Sequence, residues 1–222
     1  MCGRYSFTQT PEAIAAAFAL AEVPALEPRY NIAPSQSIPV VLLSPETRQR
    51  QFRLLQWGLV PSWAKDTKIG AKLINARAET IAEKPSFRAA FKQRRCLVLA
   101  DGFYEWQRQE GKKQPFYICL TDRAPFAFAG LWEHWSGPNG EALDSCTILT
   151  TEPNELLRPI HNRMPVLLEP SNYNLWLDPE VQQVEKLQSL LQAYPAKKMM
   201  AYPVSTKVNT PASNSPECIE KL

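Results

Sequence analysis

Twenty prolines spread along 222 residues constrain this chain more than any other feature. Each ring fixes φ and removes a backbone donor, so neither a long helix nor an uninterrupted central strand runs through one. The fold must therefore use short elements joined by stiff turns. Strand-like runs rich in β-formers occupy Ile38–Leu43, Phe52–Trp57, Arg95–Ala100, Pro115–Leu120, Phe126–Trp132 and Ser145–Thr150. Gly111, Pro125 and Gly140 punctuate them. Thr10 and Pro11 form a cap-plus-first-residue helix start, followed by an apolar stripe of Ile14, Phe18 and Ala21. A second helix is expected over Ser86–Gln93. A third is expected from Asp178-Pro179 to the stop at Pro195, with Val181, Val184, Leu187, Leu191 and Tyr194 on one side. Strands do not alternate regularly with helices, so the pattern predicts an α+β domain with a curled antiparallel sheet rather than a doubly wound parallel one.

Composition narrows the class of function. With 45% hydrophobic and 21% charged residues, the chain has enough apolar material for a core, as one large domain or two small ones. Its net charge of +3 is too mild to identify a nucleic-acid binder, for which a local patch matters more than the total. No apolar run approaches membrane-span length, and the start Met1-Cys2-Gly3-Arg4-Tyr5 does not read as a secretory signal. The five cysteines stand singly at Cys2, Cys96, Cys119, Cys146 and Cys218, with only His134 and His161 to join them. Neither a zinc site nor a disulfide framework is expected, and the pattern suits a reducing cytoplasm.

Four residues invite a chemical reading beside a plainer one. Removal of Met1 would leave Cys2 with an α-amine and a thiol on adjacent carbons. That aminothiol can form a Schiff base with an aldehyde and then close a thiazolidine; alternatively the thiol is buried and inert. Asn75, in Leu73-Ile74-Asn75-Ala76-Arg77-Ala78-Glu79, suggests a strand end or turn beside a site, or an amide satisfying a turn. Glu105, in Asp101-Gly102-Phe103-Tyr104-Glu105-Trp106, would have a raised pKa if buried, as suits a general acid, or is a surface carboxylate in a hairpin. His161, stiffened by Pro159 and Pro165, could shuttle protons or serve structurally. His134 reads as structural or surface. Arg4, Arg77 and Arg163 each lie within two residues of one of these groups and carry forks suited to phosphate oxygens. Trp63 and Trp106 could stack on bases or belong to the core, which is the preferred reading for the other tryptophans. The pairs Arg94-Arg95, Lys112-Lys113 and Lys197-Lys198 read as solvated surface. GxSxG, P-loop, GxGxxG and HExxH signatures are all missing.

Taken in order, these segments resemble the SRAP (SOS-response-associated peptidase) family of abasic-site-processing proteins. The matching stretches are Met1-Cys2-Gly3-Arg4-Tyr5, Arg29-Tyr30-Asn31-Ile32-Ala33-Pro34, Gln56-Trp57-Gly58-Leu59-Val60-Pro61-Ser62-Trp63, Ile74-Asn75-Ala76-Arg77-Ala78-Glu79-Thr80, Ala100-Asp101-Gly102-Phe103-Tyr104-Glu105-Trp106 and Ile160-His161-Asn162-Arg163-Met164-Pro165. One departure is that Trp63 is followed by Ala64-Lys65, where some relatives carry a second aromatic residue. The resemblance implies a single domain over 1–222 with a barrel-like sheet and short flanking helices. It implies capture of abasic sites in single-stranded DNA by a thiazolidine cross-link through Cys2 once Met1 is gone, shielding the lesion from strand cleavage. Asn75 would hold the aminothiol or the sugar oxygens, Glu105 would act as acid–base, and His161 would assist proton transfer. Arg4, Arg77 and Arg163 would grip phosphates, and Trp63 and Trp106 would support bases. The implied partner is single-stranded DNA, met by a cytoplasmic, nucleoid-associated monomer with no metal, cofactor or membrane. The rival readings are a thiol peptidase, for which no Cys–His–Asn pattern is evident, and a non-covalent single-strand binder with an idle cysteine.

Overall fold

The computed structural model describes residues 2–109 and 111–222, so Met1 and any processing of it lie outside the described residues. The first half runs β1 (Tyr5–Phe7), α1 (Pro11–Phe18), β2 (Arg29–Ile32), β3 (Ser37–Leu43), β4 (Arg50–Trp57), β5 (Asn75–Arg77), α2 (Arg88–Gln93) and β6 (Arg95–Ala100). There follow β7 (Gly102–Gln109), β8 (Lys112–Leu120), β9 (Phe126–Ser136), β10 (Ala142–Thr151), β11 (Met164–Pro165) and β12 (Leu167–Leu168). The chain ends with α3 (Tyr173–Leu177), α4 (Val184–Gln188), β13 (Met199–Pro203) and short 3-10 turns. All six strand-like runs read from the sequence lie within β3, β4, β6, β8, β9 and β10.

Two sheets form the body. Among the described residues, β4, β3, β6, β9 and β10 pair in sequence and close into a five-stranded barrel. The closing seam is parallel, with Ser145 beside Gln56 and Cys146 beside Trp57. The expected curled antiparallel sheet is thus a barrel with one parallel closure, and β5 adds a second parallel pairing along β10. The other sheet has the order β13-β8-β7-β1-β2 and is antiparallel throughout. Aromatic edges join the two sheets. Tyr5 meets Trp57 at 5.4 Å and Phe128 at 5.8 Å between ring centroids, and Phe103 meets Phe128 at 5.8 Å. Burying each such side chain stabilises the fold by roughly 1.5–3 kcal/mol.

Helices depart from the sequence reading in two places. Ala19 adopts a left-handed conformation (φ 50°) and its N–H bonds the Ala15 carbonyl, so α1 ends before Ala21. The long third helix shrinks to α4. Its expected first turn is pulled open by Arg95, a buried residue whose guanidinium donates to the carbonyls of Phe91 (2.7 Å), Lys92 (2.6 Å), Trp176 (2.5 Å), Val181 (3.0 Å) and Asp178. The Asp178 and Val181 carbonyls that a helix would need are therefore engaged elsewhere. Arg95 is not the solvated surface residue its sequence neighbourhood suggests.

Candidate active site at the amino-terminal strand

The site is built where β1 is pinned to β7. Asp101 accepts from Ser6 Oγ (2.5 Å), Thr8 N (2.5 Å) and Thr8 Oγ1 (2.7 Å), and Ser6 Oγ also meets the Tyr117 hydroxyl at 2.8 Å. Gly102 is required here, because a Cβ would lie 2.1 Å from the Tyr117 ring. Tyr104 N–H donates to the Arg4 carbonyl at 3.0 Å, so pairing continues past the start of β1 toward the chain's first residues. Continuing the Tyr5–Phe103 register sets Gly3 beside Glu105 and Cys2 beside Trp106.

Four residues read from the sequence as catalytic gather at this edge. Cys2 is fully buried, and Asn75 Nδ2, at the start of β5, donates to its carbonyl at 2.8 Å. Asn75 Oδ1 is buried with no hydrogen-bond partner among the described residues, leaving an acceptor beside Cys2. Burial pushes the Cys2 thiol well above its ordinary range, and the Glu105 charge pushes the same way. Glu105 is only 2% exposed, and desolvation raises its carboxyl to about 7. His161 Nε2 stands 3.8 Å from Glu105 Oε2. His161 Nδ1 stands 3.1 Å from the Arg163 backbone N–H and 3.2 Å from the Arg163 carbonyl, so residue 163 can hold the ring in either tautomer. Burial lowers the His161 pKa, and the Arg108 charge acts in the same direction. The arrangement offers a nucleophile, an amide that orients it, a carboxyl able to give or take a proton near neutrality, and an imidazole beside that carboxyl.

The remaining residues divide. Arg77 is exposed. Arg163 is bidentate on Glu79 (2.7 and 2.9 Å) and bonds the Thr150 carbonyl at 2.6 Å, which holds the Glu79 carboxyl below its usual range. Arg4 donates to Asn31 Oδ1 (2.8 Å) and to the carbonyls of Val208 (2.6 Å) and Asn209 (3.2 Å). Both guanidinium groups brace the walls of the site. Trp63 is 59% exposed, far more than a core tryptophan. Trp106 donates from Nε1 to Asn209 Oδ1 at 2.7 Å. Trp57, Trp135 and Trp176 are core residues, and His134 is exposed and bonded to Asp144 at 2.7 Å. An open cavity of about 400 Å³ is lined by Glu105, Trp106, Arg108, Lys113, His161 and Asn209.

Arg108 and Asn209 escaped the sequence reading. Arg108 and Lys113 flank the Gly111 turn, and that symmetry could have placed them opposite each other. No local signal marks Asn209. Among the described residues no group of three or more His, Cys, Asp or Glu could hold a metal ion, all five cysteines are unpaired, and no helix is long and apolar enough to cross a membrane.

Residues 1–211 match the family model described as SOS response associated peptidase (SRAP). The chain is 49% identical over 224 residues to the abasic site processing protein YoqW of Bacillus subtilis (strain 168), covering 99% of each. It is 35% identical over 225 residues to the abasic site processing protein HMCES of Xenopus tropicalis, covering 88% of this chain and 67% of that one. A crystal structure of a protein from Bacteroides thetaiotaomicron superposes with a TM-score of 0.88 at 28% identity, over 100% of both chains.

Proposed function

Because this chain belongs to the SOS response associated peptidase (SRAP) family, we propose that it processes abasic sites in single-stranded DNA by capturing them on Cys2. The observation that carries this reading is the convergence of three distant segments at the amino-terminal segment: Asn75 bonds the Cys2 carbonyl, the Glu105 charge acts on the Cys2 thiol, and His161 stands beside Glu105. The nucleophile becomes competent when Met1 is removed and the Cys2 nitrogen becomes a free amine.

An abasic deoxyribose is mostly a closed hemiacetal, so the ring must open first. Glu105, partly protonated near neutrality, gives its proton to the ring oxygen and takes up that of the C1′ hydroxyl, which releases the C1′ aldehyde. The Cys2 amine adds to C1′; the resulting carbinolamine loses its hydroxyl as water with a proton from Glu105, and its N–H proton returns to Glu105 to leave the imine, with His161 beside the carboxyl. Cys2 Sγ then attacks the imine carbon, and its proton finishes on the ring nitrogen. In sum, one C–N and one C–S bond form, one water leaves, and nothing is oxidised or reduced. A buried, protonated thiol suits this order, because sulfur is held back until an electrophilic carbon lies beside it. Asn75 fixes the Cys2 carbonyl and offers Oδ1 to the amine or a sugar hydroxyl. Such positioning can supply several kcal/mol of the barrier. The thiazolidine removes the imine that would otherwise promote strand scission.

Arg77 grips a backbone phosphate directly. Arg4 and Arg163 contribute positive potential from braced positions, and Trp63 and Trp106 support neighbouring bases.

Intact-mass measurement of purified protein with an abasic oligonucleotide tests the proposal. Protein lacking Met1 should gain the oligonucleotide mass less one water and survive denaturant. Cys2→Ala should give no stable adduct and Cys2→Ser at most a labile one. A denaturant-stable adduct in either variant, or Met1 retained in reactive protein, would overturn the proposal. Turnover of unrelated peptides would instead assign a thiol peptidase.

A further inference from the structure

The outer end of the β7–β8 hairpin carries a charge arrangement that stability alone disfavours. Arg108 and Lys113 are direct cross-strand partners. Like charges facing each other across an antiparallel pair are destabilising. Both side chains are exposed, and neither has an ion pair or hydrogen bond among the described residues. A third cation joins them. Gln107 Nε2 donates to the Pro159 carbonyl at 3.0 Å, tying the loop before His161 to the flank of β7. The residue before that proline is Arg158, also exposed and without an ion pair among the described residues.

These three cations border two adjoining cavities. The second, of about 420 Å³ and lined in part by Arg108, Arg158 and Asn162, shares Trp106, Arg108 and His161 with the cavity that reaches Glu105. The other basic groups near Cys2 differ: the terminal guanidinium nitrogens of Arg4 and Arg163 already donate to protein acceptors.

We propose that Arg108, Lys113 and Arg158 form a phosphate shelf that binds the polynucleotide backbone next to the captured sugar. The shelf rests on the reading of Cys2 as the nucleophile for its place in the reaction, but its binding can be measured without that chemistry. Unpaired, exposed cations side by side suit the repeated charges of a flexible single strand better than a single buried anion. Neutralising the Arg108–Lys113 repulsion then becomes part of the binding free energy.

The test uses a single-stranded oligonucleotide carrying a tetrahydrofuran residue, which has no aldehyde and cannot be captured. Its affinity is followed by fluorescence anisotropy across a salt series. Each phosphate contact on a single strand contributes about 0.7 to the slope of log K against log salt. Arg108→Ala/Arg158→Ala should flatten that slope by about 1.4, twice the single-contact value. Lys186→Ala/Lys197→Ala removes the same net charge from exposed positions elsewhere and should leave the slope unchanged. Equal slopes in the shelf variant and the parent protein, or equal flattening in both double variants, would overturn the shelf. Failure of the Cys2 reading shows separately, as a stable adduct with a true abasic strand in Cys2→Ala.

Discussion

A carboxyl that titrates near neutrality is costly to keep, and Glu105 is such a group. Unfolded, it ionises near 4.5; folded, burial raises it to about 7. Below the lower value both states are protonated and no difference exists. As pH rises through this window the folded state alone retains the proton, so stability falls, and the loss is complete above the folded value. A shift of this size corresponds to about 3 kcal/mol at most. Glu105→Gln should therefore raise the melting temperature at pH 8 and leave it nearly unchanged at pH 4, while slowing adduct formation by roughly 10²–10⁴-fold. A variant no more stable than the parent at pH 8 would show that Glu105 is ionised without cost. At this scale the sequence singled out Cys2, Asn75, Glu105 and His161 with a plainer reading open beside each, and the structure brings Asn75 to the Cys2 carbonyl and His161 to Glu105. The sequence was silent on Asn209 and Arg158, whose place beside the site is created by long-range contacts with Trp106 and β7.

Among elements, β1 matters most for its size. A three-residue strand has little pairing energy of its own, and it is held by Asp101, which accepts from Ser6 and Thr8 together. Replacing one carboxylate oxygen by an NH₂ turns an acceptor into a donor facing a donor, at a cost of about 1–3 kcal/mol. Asp101→Asn should accelerate amide hydrogen exchange at Ser6 and Thr8 more than in the barrel strands, and slow adduct formation in parallel. Uniform exchange across the molecule would mean that Asp101 supports the fold generally rather than this strand. Two of the strands missed in the sequence lack a continuous apolar run. β7 (Gly102–Gln109) turns polar along its length, and β13 (Met199–Pro203) ends in a proline, so neither shows the apolar signature of β6 or β9. Their strand state comes from partners far away in sequence, which no local pattern records. Gly58 has a related origin: its φ of 128° and its approach to Gly70, where a Cβ would lie 2.7 Å from a carbonyl oxygen, fix the loop that displays Trp63.

On the scale of the whole molecule, Arg95 is the point where α2, β6, α3 and the segment before α4 meet. Burial lowers its pKa to about 10, which still leaves it charged at neutral pH. Arg95→Leu would remove a guanidinium donor from five carbonyls, two of them belonging to the segment that fails to become helical, of which Asp178 O keeps the Val181 N–H at 3.1 Å. The expected cost is on the order of 3 kcal/mol, lowering the melting temperature by roughly 10 °C. Adduct formation at low temperature should persist, since Arg95 lies apart from Cys2 and its neighbours. A melting temperature within a degree of the parent would show that those carbonyls find other donors. The site itself is a mosaic: the amino-terminal strand, β5, the middle of β7, the loop at His161 and the segment at Asn209 each contribute one wall. During synthesis the segment bearing Cys2 emerges from the ribosome long before the segment that braces Arg4 and Trp106 exists. The pocket around Cys2 is therefore completed only when the last part of the chain has folded onto the first.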